Sequence, residues 1–413
     1  MLESPMATTI TRPLDAPAPQ APTPAPAEAP RSPLADLLPA GRLRSTLEWL
    51  FVVLAVYVLV SAVSVIGAGF KTATGGHAEQ LFAFAENPLV ALMVGILATA
   101  ALQSSSTTTS ITVGLVAGGL PLDIAIPIVL GANIGTTLTN TLVSVTMIRR
   151  RDEFRRAFAA GTVHDFFNLI AVVIFLPLEI LTGFLEKLSG WVTGFLADTS
   201  TSVDTDAFDL VGTATSPLKE GLAAATGPLG AVAGGLVMIA MGVGLIFFAI
   251  GFVGALLKVL MVGRAKQILH TAIGRGPVTG IGAGALVTTL VQSSSTTTSL
   301  MIPLAGSGTF SLRQIYPFTL GANIGTTVTA LLAAIGLSGE HAALGLQIAL
   351  VHLFFNLCAT GLVYGVPWLR NLPILGAEWL ARVSSVRPWF AFVWVGGVFV
   401  ALPTALIAIT ALV

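Results

Sequence analysis

The sequence predicts an all-α integral membrane protein, with two inverted-topology repeats whose broken or re-entrant helices meet at a midplane site. Three observations predict it. The chain is apolar enough to sit in lipid, two polar strings recur in its halves, and the loop charges of those halves are opposed.

The first observation is compositional. Of 413 residues, 54% are hydrophobic and only 10% charged, against about 25% charged in a soluble domain. Several apolar runs, such as 51–70, reach the roughly 20 residues that span a bilayer. A net charge of zero argues against nucleic acid as a partner. The single cysteine, Cys358, excludes an internal disulfide, and no Cys/His cluster for a transition metal can be built. Residues 1–40 differ in kind, with ten of the 23 prolines. They read as a disordered Pro/Ala-rich tail and lack the apolar core of a secretory signal, so the first spanning helix is expected to insert directly.

The second observation is a repeat. QSSSTTTS stands at 103–110 and again at 292–299, GANIGTT at 131–137 and 321–327, and a VHxFFN string at 163–168 and 351–356. The expected division is a tail over 1–42, a first transmembrane repeat over 43–190, an extracytoplasmic linker loop over 191–228, and a second repeat over 229–413.

The third observation orients the copies. Lys and Arg collect in cytoplasmic loops. Between GANIGTT and the VH helix, copy one carries RRRDEFRR (149–156) and copy two LSGEH (337–341), which has no arginine. Before QSSS, copy one offers Lys71, and copy two Arg264, Lys266 and Arg275. After the VH helix, copy one has the acidic stretch 190–228, whereas copy two has Arg370, Arg382 and Arg387. Each comparison changes sign, so the repeats are expected to be inverted. Arg31, Arg42 and Arg44 put the N-terminus in the cytoplasm. Segments 88–147 and 277–336 must then each make a net odd number of crossings. Such inverted pairs are a device of secondary transporters.

Within those two segments the only charged side chains are Asp123 and Arg313. Polar, Gly-rich backbone at membrane depth is tolerated only where it is buried in protein or lines a wet cavity. Gln, Asn, Ser and Thr oxygens are hard neutral ligands for a small cation, and hydroxyls with half-helix N–H groups are donors for an oxyanion. A binding site with no fixed positive charge would need co-bound cations to neutralise an anion. Small and hydroxylated residues also mediate plain helix packing, but two matched strings in opposed copies favour a pocket. His164 and His352 stand one turn before Asn168 and Asn356, a pairing that suits a helix-to-helix hydrogen bond as well as ligand contact. Asp165 is matched by Leu353 and is a candidate asymmetric cation ligand. Asp123 suits a surface turn, and RRRDEFRR a headgroup anchor.

At both QSSS strings, both GANIGTT strings, DEFRRAF (152–158) and VHDFFN (163–168), the sequence resembles the type II sodium-dependent phosphate cotransporter family over roughly residues 45–410. The resemblance implies a symporter, not an enzyme, that imports inorganic phosphate with sodium by alternating access. It implies no organic cofactor, Na+ as the co-transported ion, and inorganic phosphate, sodium and the lipid bilayer as partners. It implies phosphate at Ser104, Ser105, Ser106, Thr107, Ser293, Ser294, Ser295 and Thr296. Sodium is expected at Gln103, Asn133, Thr136, Asp165, Gln292, Asn323 and Thr326, with no catalytic residue. Animal members carry a large glycosylated, disulfide-bonded outer loop. Here that loop is about 40 residues without cysteine or a glycosylation acceptor, which points to a bacterial inner membrane. A homodimer is compatible with the sequence. The alternatives are a sodium-coupled symporter of sulfate or a carboxylate, a passive anion channel, and an intramembrane serine hydrolase. The hydrolase lacks a G-x-S-x-G elbow.

Overall fold

The computed structural model describes residues 32–35, 39, 41–75, 85–200, 206–273, 275–335, 337 and 342–412, and every regular element among them is helical. The expected tail, 1–42, lies almost wholly outside the described residues. Copy one contains α1 (Arg42–Thr74), α2 (Pro88–Leu102), α3 (Ser105–Ala117), α4 (Leu122–Gly135), α5 (Leu138–Val145) and α6 (Arg151–Thr182). Between the copies lie α7 (Phe184–Ser200) and α8 (Asp206–Thr226). Copy two contains α9 (Ala231–Ala272), α10 (Pro277–Val291), α11 (Ser294–Ser299), α12 (Met301–Gly306), α13 (Leu312–Ile335), α14 (Ala342–Ala359) and α15 (Pro367–Val386). The chain ends with α16 (Trp389–Gly396) and α17 (Leu402–Leu412), joined by a π-helical turn over 397–401.

Among the described residues, seven helices are long and apolar enough to cross a bilayer. The helices α2 and α10 are not. At 15 residues each they reach about 22 Å, short of the roughly 30 Å hydrocarbon core. Both end at a glutamine in the left-handed region, Gln103 and Gln292, each at φ 53°. The chain turns back there. Thr99 and Thr108 share a 2.9 Å hydroxyl hydrogen bond, although nine residues of continuous helix would hold them about 13 Å apart.

The sequence-based linker loop, 191–228, needs correcting in form. Most of it is helix, in α7 and α8. Phe184, Leu185, Leu188, Trp191, Val192 and Phe195 recur at helical spacing, and Trp191 and Phe195 are exposed on α7. The apolar stripe of a surface helix outweighs the Ser, Thr and Asp residues that suggested a loop.

What positions the two QSSS turns is close backbone packing, identical in both copies. In copy one α2 crosses α4 so tightly that a Cβ on Gly131 would collide with the Leu92 carbonyl, and one on Gly95 with the Ile128 carbonyl. In copy two Gly321 meets the Ile281 carbonyl and Gly284 the Phe318 carbonyl in the same way. Backbone carbonyls cannot swing aside as side chains do, so these glycines set the crossing distance. Gly131→Ala or Gly321→Ala is expected to cost about 3 kcal/mol or more and to remove most folded protein from the membrane fraction. Gly251→Ala, with nothing within 4 Å of the added Cβ, should express normally. Size-exclusion profiles and thermal unfolding of the three variants check this. The equivalent helices α1 and α9 pack on each other through Gly69 against Gly235, and Gly242 fits against Ile66.

At the centre four buried asparagines tie the copies together. Asn356 donates to Asn133 Oδ1 (3.2 Å), and Asn168 to the Asn133 carbonyl (2.7 Å). Asn323 donates to Asn168 Oδ1 (3.1 Å) and Asn356 Oδ1 (2.5 Å). Each such bond within a membrane contributes roughly 0.6 kcal/mol, and together they fix the register of α4, α6, α13 and α14.

Candidate functional site

Each QSSS string is built by the same local chemistry. Gln103 and Gln292 occupy a conformation that costs a non-glycine residue about 1–2 kcal/mol. Side-chain bonds offset it. Gln103 donates to the Ala100 carbonyl (2.5 Å) and accepts from Thr139 (3.0 Å). Gln292 donates to the Thr289 carbonyl (2.6 Å) and accepts from Thr329 (2.9 Å). Each glutamine thus pins the tip of a short arm to the GANIGTT arm of its own copy.

The next residue starts a new helix. Ser104 and Ser293 share backbone angles of φ −154° and ψ 107°, and each hydroxyl accepts the N–H of the residue three ahead, Thr107 or Thr296, at 3.2 Å. This is N-capping. The remaining first-turn N–H groups, on Ser105, Ser106, Ser294 and Ser295, have no intrahelical partner. They carry the partial positive charge of a helix start.

The two turns come together. Gln103, Ser104, Ser105 and Ser106 face Gln292, Ser293, Ser294, Ser295 and Thr296 across one cavity of about 360 Å³, and Thr136 joins the wall. Residues 103 and 292, separated by 189 positions, therefore line a single space. Among the described residues lining it, none carries a formal charge. The third wall was not anticipated from the sequence. It is a small-residue face of α9, formed by Gly251, Gly254 and Ala255 beside Ile250. The signal was present as glycines and alanine at i, i+3 and i+4 in an otherwise bulky helix.

Other expected ligands lie off this wall. Asn133 and Asn323 are not in the lining and belong to the asparagine cluster. Thr107 caps within α3, its hydroxyl donating to Ser104 Oγ at 2.9 Å. Thr326 donates to the Ala322 carbonyl at 3.0 Å. Asp165 is fully buried on α6, where Thr141 (3.3 Å) and Trp394 Nε1 (2.8 Å) donate to its Oδ2. Its Oδ1 makes no hydrogen bond within geometric limits among the described residues. His164 and His352 are buried beside the cluster, and the His352 carbonyl accepts from Asn356 at 2.8 Å.

Gln103→Gly separates strain from binding geometry. Glycine removes the left-handed penalty but severs the tie to Thr139. Thermal stability is expected to stay near wild type, while affinity for an oxyanion at the cavity falls about tenfold, the equivalent of one hydrogen bond of roughly 1.4 kcal/mol. Unfolding scans and equilibrium anion binding on the same preparation check both halves.

Comparison with known proteins coincides with the two copies. A model described as Na+/Pi-cotransporter matches residues 58–195 and 245–364. The chain belongs to the Na+/Pi-cotransporter family. Within that family it is 34% identical over 427 residues to the rabbit (Oryctolagus cuniculus) sodium-dependent phosphate transport protein 2A, covering 86% of this chain and 66% of the relative. It is 32% identical over 425 residues to the human (Homo sapiens) sodium-dependent phosphate transport protein 2B, covering 81% of this chain and 61% of the relative. The chain therefore spans just under two thirds of the length of these cotransporters. No solved structure matches the chain significantly. With its seven apolar helices, this family member is a multi-pass membrane protein.

Proposed function

We propose that the protein is a secondary active transporter that imports inorganic phosphate by symport with sodium. One observation carries the reading: the two QSSS turns, one from each copy, share a cavity whose described lining is hydroxylated, amide-rich and uncharged. A phosphate ion needs several donors at once, and the serine hydroxyls with the free first-turn N–H groups of α3 and α11 are donors of that kind. Ser104, Ser105, Ser106, Ser293, Ser294 and Ser295 take phosphate in this reading, backed by Thr107 and Thr296.

Sodium ions supply the missing charge. Gln103, Gln292 and Thr136 offer oxygens at the cavity wall. Asn133, Asn323 and Thr326, which are not in the lining, and Asp165, whose Oδ1 makes no hydrogen bond within geometric limits among the described residues, complete the set of cation oxygens in this reading. The named activity of the related cotransporters supports the same cargo and coupling ion. No bond is made or broken in phosphate, and no organic cofactor enters.

The opposed loop charges support an inverted arrangement of residues 43–190 and 229–413, and the short outer stretch without cysteine or a glycosylation acceptor suits a bacterial inner membrane. In that arrangement the N-terminus and the arginine run at 149–156 lie in the cytoplasm and 191–228 outside. Alternating access then follows from the copies rocking about the shared cavity. Radiolabelled phosphate uptake into proteoliposomes tests the function. Uptake is expected with a sodium gradient and not with potassium, with competition by arsenate but not by sulfate or succinate. Equal uptake in the two salts would reject sodium coupling.

A further inference from the structure

A second cavity of about 360 Å³ lies apart from the serine cavity, at the start of α6. Arg155 and Arg156 reach it from copy one. Arg382 and Glu378 reach it from α15 in copy two, and Phe310, Ser311 and Leu312 come from the turn into α13. Three guanidinium groups therefore face one carboxylate. Three neighbouring arginines are engaged elsewhere: Arg150 pairs with Glu153 at 3.1 Å, Arg151 donates to the Ser385 carbonyl at 2.9 Å, and Arg313 donates to Asn371 at 3.1 Å. Arg156 is held in place, its Nε donating to the Gly306 carbonyl at 2.8 Å. The guanidinium groups of Arg155 and Arg382 have no hydrogen bond or ion pair among the described residues, and the Arg382 carbonyl accepts from Ser385 Oγ at 2.8 Å.

We propose that this pocket binds a phosphate group that bridges the two copies. Guanidinium forks match the several oxygens of a phosphate, and a single carboxylate leaves the pocket with a positive excess. The lining also includes the apolar Ala159, Ala305, Leu312 and Ala381, which suit the acyl end of a phospholipid better than a fully hydrated ion. Trp379, exposed at 56%, stands on α15 next to the pocket's Glu378, and Trp389, exposed at 54%, starts the following helix α16, in the manner of an interfacial belt. Basic pockets between membrane helices take phosphate-bearing headgroups for these reasons. The phosphate group is supplied either by an anionic lipid or by free inorganic phosphate near the pocket.

The test uses the full chain purified in a neutral detergent. Native mass spectrometry reads retention of phosphatidylglycerol against phosphatidylcholine. Separately, radiolabelled inorganic phosphate binding is read without sodium on a chain carrying Ser104→Ala and Ser293→Ala. If a lipid supplies the phosphate, phosphatidylglycerol is retained preferentially, and Arg155→Ala with Arg382→Ala weakens retention about 30-fold, taking each arginine at roughly 1 kcal/mol. If free phosphate supplies it, sodium-independent phosphate binding is seen and the arginine substitutions abolish it. Glu378→Gln guards against misfolding of the arginine variant, because removing the opposing carboxylate should tighten whichever ligand binds. Unchanged affinity for both ligands in the arginine variant and in Glu378→Gln would overturn the proposal.

Discussion

Replacing Ser104 and Ser293 together by alanine is expected to abolish sodium-driven phosphate uptake while the protein remains folded in the membrane. The two effects separate because they have different sizes. Each serine caps a helix through one 3.2 Å bond to a backbone N–H, and losing a cap costs about 1 kcal/mol. The tight helix crossings at Gly131 and Gly321 are untouched, so the fold has enough left to hold. At the cavity the loss is larger. A hydrogen bond to a charged group is worth roughly 1.5–3 kcal/mol, and two lost together weaken phosphate binding by at least about a hundredfold. Uncapping α3 and α11 also frees the first turn, which blurs the remaining donors. Either single substitution should already remove transport, since each wall supplies half of the contacts. Uptake into proteoliposomes, with membrane yield and thermal unfolding measured alongside, decides the matter. Wild-type uptake by the double variant would remove the serines from the phosphate site.

How much of this was legible in the sequence depends on what kind of signal each residue leaves. The QSSS strings were legible because hydroxyls are costly against lipid and because the pattern occurs twice. Their shared cavity, over residues 103–106 and 292–296, follows the expected meeting of the copies. The left-handed glutamines were not legible, since no composition rule places Gln at φ 53°. That conformation is held by Thr139 and Thr329, 36 and 37 residues further on. The wall at Gly251, Gly254 and Ala255 left a trace, but small residues in a membrane helix usually mean packing. Trp394 lies 229 residues from Asp165, and nothing local connects them. Asn133 and Asn323 stand out in the sequence as amides within apolar helices and are expected there to hold sodium. The sequence could not tell a cavity wall from the asparagine cluster, because amides serve both.

Phosphate affinity is expected to fall by two to three orders of magnitude, roughly, when sodium is replaced by choline at constant ionic strength. The reason is the uncharged lining. An oxyanion entering a low-dielectric cavity loses hydration that neutral donors replace only in part. A cation about 4 Å away returns about 4 kcal/mol at an effective dielectric of 20, which is close to a thousandfold. Reciprocity then requires phosphate to tighten sodium by the same factor. Equilibrium binding of labelled phosphate across a sodium series, and of sodium across a phosphate series, measures both sides. A fixed charge should break the linkage. Ala255→Lys places an ammonium on the α9 wall of the cavity, so phosphate should bind that variant in choline nearly as well as in sodium. Transport should fail in the same variant, because a resident charge holds the anion after sodium has left. If the unmodified protein binds phosphate with full strength in choline, the charge comes from the protein itself, and the coupling must arise somewhere other than this cavity.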